Sequence, residues 1–291
     1  MHRFWLRFIV PLLLAAGPKR VLEIGAEFGW NTRGLLELGR EHGFFVDIVD
    51  PAPHPAFHEE LARFDGGYEF HAAKSLTIIA ALPAPDFVLL DGDHNWFTVF
   101  NELQQIFFRA HLAKCPPPIV LMHDVAWPYA RRDMYYDVTD VHDGDRQPYA
   151  RRGFVPGRAE LTDDGINGHF ANAVLEGGPR NGVLTAVEDF LAVVGQEVAF
   201  HRLPFFNGLG IVIPKARNTD AVRKTVESFF TPESLMESCE ALEQDAMNVR
   251  VDLHACQTQL TRRTEALMRA RSLIAELQQE LADQKEKAVL F

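Results

Sequence analysis

The stretch that decides the fold is Val21-Leu22-Glu23-Ile24-Gly25-Ala26-Glu27-Phe28-Gly29, followed at once by Trp30-Asn31. Its opening residues form a short, nearly continuous apolar run, the pattern of a strand buried on both faces. Gly25 permits a tight turn out of that strand, and Gly29 lets the backbone pass close to a ligand. The third glycine of the dinucleotide fingerprint GxGxxG is missing and the spacing differs. The next apolar run, 44–50, ends in Asp50, and a carboxylate there suits hydrogen bonding to both hydroxyls of a ribose.

Outward from this turn, short apolar runs alternate with amphipathic stretches, as in a parallel sheet wrapped by helices. Strands are expected at 20–24, 44–50, 87–91 and 119–123, and helices at 31–41, 55–64 and 96–113. Residues 127–168 are rich in Pro, Gly, Arg, Asp and Tyr, and a loop of that length is usually a lid or binding segment. A helix at 183–194 and two closing strands, 197–206 and 209–214, complete the pattern, with Asn207-Gly208 supplying the turn between them.

The composition changes after Pro214. Cys239, Ala246, Leu253, Leu260, Leu267, Ile274 and Leu281 recur in sevens, interleaved with Leu235, Leu242, Val249, Cys256, Arg263, Ala270 and Leu277. This is an a/d heptad seam without Pro or Gly, and strict sevens favour self-association over a helix folded back on the domain. The expected organisation is a catalytic domain over 1–215, a linker or short helix over 216–231 and a coiled coil over 232–286.

The 291 residues are 47% hydrophobic, enough for one large α/β domain with a real core. A net charge of -11 argues against a nucleic-acid surface, which needs clustered Lys and Arg. Cys115, Cys239 and Cys256 are too few and scattered for a disulfide framework or a zinc site, which fits a reducing cytoplasm. Arg3 and Arg7 with the apolar run 8–16 mimic a signal peptide. Pro11 interrupts that run, and it is far short of the roughly 20 residues needed to span a bilayer. A helix capping the sheet edge is expected there, with no export and no transmembrane segment.

Residues 21–29 resemble motif I of the class I S-adenosylmethionine-dependent methyltransferases, in the version of the catechol O-methyltransferase type. Leu90-Asp91-Gly92-Asp93-His94 and Val120-Leu121-Met122-His123-Asp124 are similar to the metal-dependent group that includes macrolide-sugar O-methyltransferases and cephalosporin-hydroxylase-like proteins. The resemblance covers roughly residues 15–214 and ends on 208–213, like the antiparallel last strand of that fold. It implies a Rossmann-like, doubly wound α/β fold whose mostly parallel sheet has seven strands. It also implies that Glu23, Gly25, Ala26 and Gly29 line the methionine part of S-adenosylmethionine, that Asp50 binds its ribose and that Ser75 lies by the adenine. The implied acceptor is a hydroxyl on a sugar, glycan or related polyol.

Asp91 and Asp124 close strands expected to be neighbours, about 4.8 Å apart. Two converging carboxylates repel unless protonated or bridged by a cation, and a divalent ion with oxygen ligands fits. The expected ligands are Asp91, His123 and Asp124, with Asp91 also beside the cofactor. Several of the resembled enzymes carry a carboxylate where this chain has His123. Imidazole is a poor ligand for Mg2+ and a better one for softer transition metals, so the metal's identity stays open. His94 is the expected general base for the acceptor hydroxyl, with His123 as an alternative and Asp91 completing the catalytic set. Trp127, Tyr129, Tyr135, Tyr136 and Tyr149 with Arg131, Arg132, Arg151, Arg152 and Arg158 read either as an acceptor or phosphate clamp or as a loop self-paired with nearby acids. Two rival functions stand beside this reading: a nicotinamide-dependent oxidoreductase, and a non-catalytic scaffold that recruits partners through the coiled coil.

Overall fold

The computed structural model describes residues 1–289, with side chains described as far as residue 282. The chain divides into two compact units, residues 1–234 and the helix beyond them. In the first unit the elements run α1 (Val10–Ala16), β1 (Arg20–Ile24), α2 (Trp30–His42), β2 (Phe45–Val49), α3 (Pro55–Leu61), β3 (Tyr68–His71) and α4 (Ser75–Ile78). They continue with β4 (Phe87–Leu90), α5 (Trp96–Leu112), β5 (Ile119–His123), β6 (Met134–Tyr135), β7 (Tyr149–Ala150) and β8 (Ala171–Ala173). α6 (Val183–Val194), β9 (Val198–Leu203), β10 (Leu209–Pro214) and α7 (Asp220–Ser228) complete the unit.

Seven strands form one sheet in the order β3-β2-β1-β4-β5-β10-β9. The pairs from β3 to β5 are parallel, and β10 runs antiparallel to both of its neighbours. This is the expected doubly wound α/β sheet with its reversed strand near the edge.

The period of two along each strand sorts the core into two layers. Val21, Leu89, Leu121 and Ile211 face Phe8, Leu12, Leu13, Leu35 and Val222. The alternate residues Leu22, Val88, Val120 and Val212 face Val99, Leu103 and Ile106 of α5 and Val187 and Phe190 of α6. The N-terminal segment therefore covers a face of the sheet, not its edge as expected. Its apolar residues Phe4, Phe8, Leu12 and Leu13 recur at near-helical spacing and are all fully buried.

β3 is absent from the strands read in the sequence. Tyr-Glu-Phe-His is only partly buried at the sheet's edge, so it lacks the continuous apolar run of the central strands.

Residues 127–168 are not a solvated loop. With the residues up to 182 they form a small folded insert around the sheet β6-β8-β7. Arg132 is fully buried and donates to the carbonyls of Ala159 and Ala173. Asp133, also fully buried, accepts from the backbone N–H of Trp96 (2.7 Å) and Gly182 (2.6 Å) and from the Tyr135 hydroxyl (2.7 Å). One carboxylate thus ties the insert to the N-terminal ends of α5 and α6.

In the second unit, α8 (Pro232–Val289) is a single helix that begins three residues before the boundary. At 1.5 Å per residue it extends on the order of 85 Å. The seam residues Leu242, Val249, Leu253, Leu260, Leu267, Ile274, Leu277 and Leu281 are all exposed. The end of the expected coil, 283–286, lies outside the described side chains. Among the described residues, no helix is long and apolar enough to cross a membrane.

Candidate active site

Strand order reverses between β1 and β4, and open α/β sheets bind ligands in the crevice beyond the carboxyl ends at such a point. Glu23 stands there, 1% exposed. Its Oε2 accepts from the Thr32 hydroxyl at 2.6 Å, while Oε1 is buried without a hydrogen-bond partner. Burial pushes this carboxyl up to about 8, Thr32 opposes the shift and the Asp50 and Asp91 charges add to it.

Gly25 turns the chain at φ 87°, and a Cβ there would sit 2.2 Å from the Asp91 carbonyl oxygen. Only glycine lets the β1 turn lie against the β4 turn. Gly29, read as a point of ligand approach, instead presents its open side to Phe57, 3.3 Å from where its Cβ would be. Its left-handed conformation starts α2. Asp50 fixes the turn: Oδ2 accepts from Ala26 N (2.9 Å) and Glu27 N (3.0 Å), and Oδ1 from Ala52 N (2.9 Å). Of about four acceptor positions, this leaves one for a ribose hydroxyl, not the two expected.

Beyond β4 and β5 the predicted metal and catalytic residues come together. Asp91, His123 and Asp124 place their ligand atoms within 4.8 Å of one another. His123 Nδ1 lies 3.1 Å from Asp91 Oδ1 and 3.0 Å from Asp124 Oδ2, and its Nε2 lies 2.9 Å from the Phe206 carbonyl. His94 Nε2 is 2.7 Å from Asp124 Oδ2, while its Nδ1 is buried without a partner. Asp124 itself is 4% exposed and left-handed, φ 61°, a strained conformation for a residue with a Cβ. The Met1 ammonium donates to Asp91 Oδ2 at 2.8 Å.

The repulsion expected between the two carboxylates is thus relieved by the histidines. Burial alone would lower His123, but the Asp91 and Asp124 charges outweigh it and raise the ring to about 10. Burial likewise opposes protonation of His94, yet Asp124 and Asp91 raise it above its ordinary value. Despite its burial Asp124 is held well below the usual range by both imidazoles, and Asp91 is lowered by His123 and the Met1 ammonium. With this pairing intact His123 carries a proton at neutral pH and the protonated form of His94 is favoured, which opposes proton acceptance by either ring. The expected base role needs the carboxylate charge to be taken up elsewhere.

Ser75 opens α4, 8% exposed, and faces Glu102 of α5. Glu102 is fully buried, neither oxygen makes a well-formed hydrogen bond, and burial pushes it up to about 8. It was not foreseen, although an acid between Val99 and Leu103 on the apolar stripe of a helix was a visible signal.

Two aromatic groups flank the cluster. Phe28 stacks on Trp30 (5.5 Å) and lies 4.3 Å from the His54 ring. From the insert, Tyr136 meets the rings of His94 (5.8 Å) and Phe170 (5.4 Å) edge-on. Burial and the charges of Asp91, Asp93 and Asp124 raise the Tyr136 phenol, so it stays a neutral donor facing carboxylates. Most of the insert's other polar residues are taken up by structural contacts. Arg131 pairs with Glu188 of α6, while within the insert Arg151 donates to the His169 carbonyl and Arg152 pairs with Asp163. Asn167 donates to the Tyr129 hydroxyl, and Asn172 caps the Arg152 and Asn167 carbonyls. The first residues of the chain, unassigned by the sequence, lie along the same edge: His2 contacts Trp30 at 4.6 Å and Phe4 contacts His123 at 5.9 Å.

The order β3-β2-β1-β4-β5-β10-β9, with β10 reversed and acids at the ends of β1, β2, β4 and β5, is the arrangement that the resemblance of residues 21–29 to class I S-adenosylmethionine-dependent methyltransferases implies. No protein-family model matches the chain, and no curated protein matches it. Solved structures do. The SAH-bound methyltransferase PaMTH1 of Podospora anserina is 17% identical over 70% of this chain and 76% of its own, with a TM-score of 0.46. Human N-acetylserotonin methyltransferase in complex with SAM is 14% identical over 70% of this chain and 50% of its own, at 0.37. The SAH-bound 1,6-didemethyltoxoflavin-N1-methyltransferase of Burkholderia thailandensis is 14% identical over 69% of this chain and 76% of its own, at 0.35. These are likenesses of architecture.

Proposed function

We propose that this protein is an S-adenosylmethionine-dependent O-methyltransferase acting on a hydroxyl of a sugar, glycan or related polyol. The observation that carries this reading is the buried, unpartnered Glu23 oxygen beside the Asp50-braced turn, at the point where strand order reverses. A carboxyl in that place is an acceptor for the cofactor's methionine ammonium, and the free acceptor position of Asp50 fits a ribose hydroxyl. Ser75 and Glu102 line the adenine end of the same crevice. Once bound, S-adenosylmethionine supplies an electrophilic methyl group for in-line displacement.

The chain's own task is then alignment and proton transfer. Asp124 orients His94 through Nε2, leaving Nδ1 to exchange a proton with the acceptor hydroxyl. Asp91, His123 and Asp124 are a ligand set for a divalent cation that would orient acceptor oxygens and would take up the carboxylate charge that now favours protonation of His94. Tyr136, Phe170, Phe28 and Trp30 offer ring faces to the apolar side of a sugar and help exclude water.

Calorimetry tests the cofactor reading. S-adenosylhomocysteine should bind the full chain, Asp50→Ala should abolish binding, and NAD should neither bind nor raise the melting temperature. Binding of NAD in place of S-adenosylhomocysteine would favour the oxidoreductase, and cofactor binding without turnover on any polyol would favour the scaffold.

The exposed heptad seam of α8 supports self-association as a coiled coil. In parallel register Asp245, at a g position, meets Arg250 of a second copy at the following e position, an attractive pair. Removing the residues after 232 should lower the number of chains per particle seen by light scattering, and an unchanged number would refute self-association.

A further inference from the structure

We infer that the Asp91–His123–Asp124 site selects a borderline transition-metal ion such as Co2+, Fe2+ or Zn2+ over Mg2+, and that the turn at Phe206 is the device that enforces this. The inference rests on the divalent-cation reading above and goes further by assigning the metal's class and a positioning element.

His123 presents Nδ1, not Nε2, to the two carboxylates, at 3.1 and 3.0 Å. Two adjacent ligands of an octahedral ion bound at about 2.1 Å are themselves about 3.0 Å apart. The nitrogen is therefore already at ligand spacing from both oxygens. The other ring nitrogen lies 2.9 Å from the Phe206 carbonyl, an acceptor only. A proton on Nε2 is thereby held in place, so a cation that displaces the Nδ1 proton meets a neutral ring with its lone pair on Nδ1. This is the outer-shell arrangement that orients and strengthens a histidine ligand.

The carbonyl is aimed by an unusual piece of chain. Phe206 (φ 52°), Asn207 (φ 67°) and Gly208 (φ 90°) are left-handed in succession, a conformation that Asn and Gly adopt readily and that is costly for Phe206. A Cβ on Gly208 would lie 2.5 Å from the Ala126 backbone nitrogen, so the turn is wedged against the segment that follows Asp124. Ala126 N donates to the Asn207 carbonyl at 2.7 Å, which locks the two segments together. A hairpin alone needs no carbonyl aimed at a histidine, and a Mg2+ site of carboxylates and waters needs no histidine. Imidazole nitrogen favours borderline metals over hard Mg2+, and a site that invests backbone strain in orienting one is built for the former.

The test is calorimetric titration of the metal-free full chain with MgCl2, CoCl2 and ZnCl2, with the visible spectrum of the Co2+ form as a second readout. Co2+ and Zn2+ should bind at least about 100-fold more tightly than Mg2+. His123→Asp should narrow that ratio to within about tenfold and change the Co2+ spectrum. Gly208→Ala should weaken Co2+ about 10–100-fold. In both variants, retained S-adenosylhomocysteine binding shows that the domain is folded. Equal affinity for Mg2+ and Co2+ would overturn the selectivity and leave the cation reading standing. Absence of binding by any of the three metals would overturn both. A Co2+ affinity and spectrum unchanged in His123→Asp would overturn the role of the imidazole.

Discussion

Replacing Glu23 with Gln gives the sharpest reading of the crevice. The amide keeps the side chain's shape, and its carbonyl still accepts from the Thr32 hydroxyl, but it cannot ionise. Burial raises the wild-type carboxyl from an ordinary 4.5 to about 8, so the folded state prefers the neutral form. Between those values the native chain holds a proton that the unfolded chain has released, and stability falls as pH rises. At about 1.4 kcal/mol per pH unit, this one group costs on the order of 4 kcal/mol of stability between pH 4.5 and pH 8. The variant should lack that slope and be the more stable protein at pH 8. Urea unfolding of both proteins at intervals from pH 5 to pH 9 measures the difference directly.

The same group should govern cofactor binding. An ammonium placed on the free Glu23 oxygen favours the ionised form, so binding of S-adenosylhomocysteine below pH 8 should release a proton. Calorimetry in buffers of different ionisation enthalpy counts it, and the affinity should fall about 10–100-fold in the variant, the worth of a charge-assisted hydrogen bond. Parallel stability curves for wild type and variant would refute the burial argument. Binding with no proton release would refute the ammonium contact.

Asp133→Ala should destabilise the protein by about 3 kcal/mol, because two buried N–H groups and the Tyr135 hydroxyl lose their acceptor. Limited proteolysis should then cut within residues 134–181 before it cuts the sheet, and simultaneous cleavage of both would refute the anchoring role. Tyr136→Phe should leave S-adenosylhomocysteine affinity unchanged while raising KM for the acceptor about tenfold, the loss of one phenol hydrogen bond. An equal loss of cofactor affinity would place Tyr136 on the cofactor side instead.

The main sheet was legible because its central strands are buried on both faces and read as unbroken apolar runs. β1, β4 and β5 end within a residue of where the pattern put them, and each ends beside an acid that the structure brings to one edge. What escaped was set by tertiary context. β3 is paired on one side only and half exposed, so nothing forced its residues to be apolar. The insert read as a lid or self-paired loop without strands of its own because its composition is polar. Arg132 and Asp133 are nevertheless fully buried there, satisfied by backbone groups distant in sequence. The expected Asp91, His123 and Asp124 do converge, yet the spacing of residues along the chain did not show that His94 and His123 would neutralise the acids.

The division among the buried acids is the strongest argument that this edge serves chemistry. Glu23, Asp93 and Glu102 are raised by burial, while Asp91 and Asp124, equally withdrawn from water, are lowered by the imidazoles beside them. Glu23 and Glu102, raised by burial, cost the fold stability at neutral pH. An apolar residue at Glu23 or Glu102 would pack without the desolvation cost, and a hydrogen-bonded neutral side chain would suit Asp124. Such a set survives in a fold when a ligand completes it. Glu23 and Glu102, both pushed up to about 8, lie where the proposed cofactor would lie, and the Asp91–Asp124 pair lies where a proton or a metal ion would be managed. Carboxylates whose surroundings drive them in opposite directions within one crevice are doing separate jobs. Under the proposed function those jobs would be to hold the methyl donor and to prepare the hydroxyl that receives the methyl group.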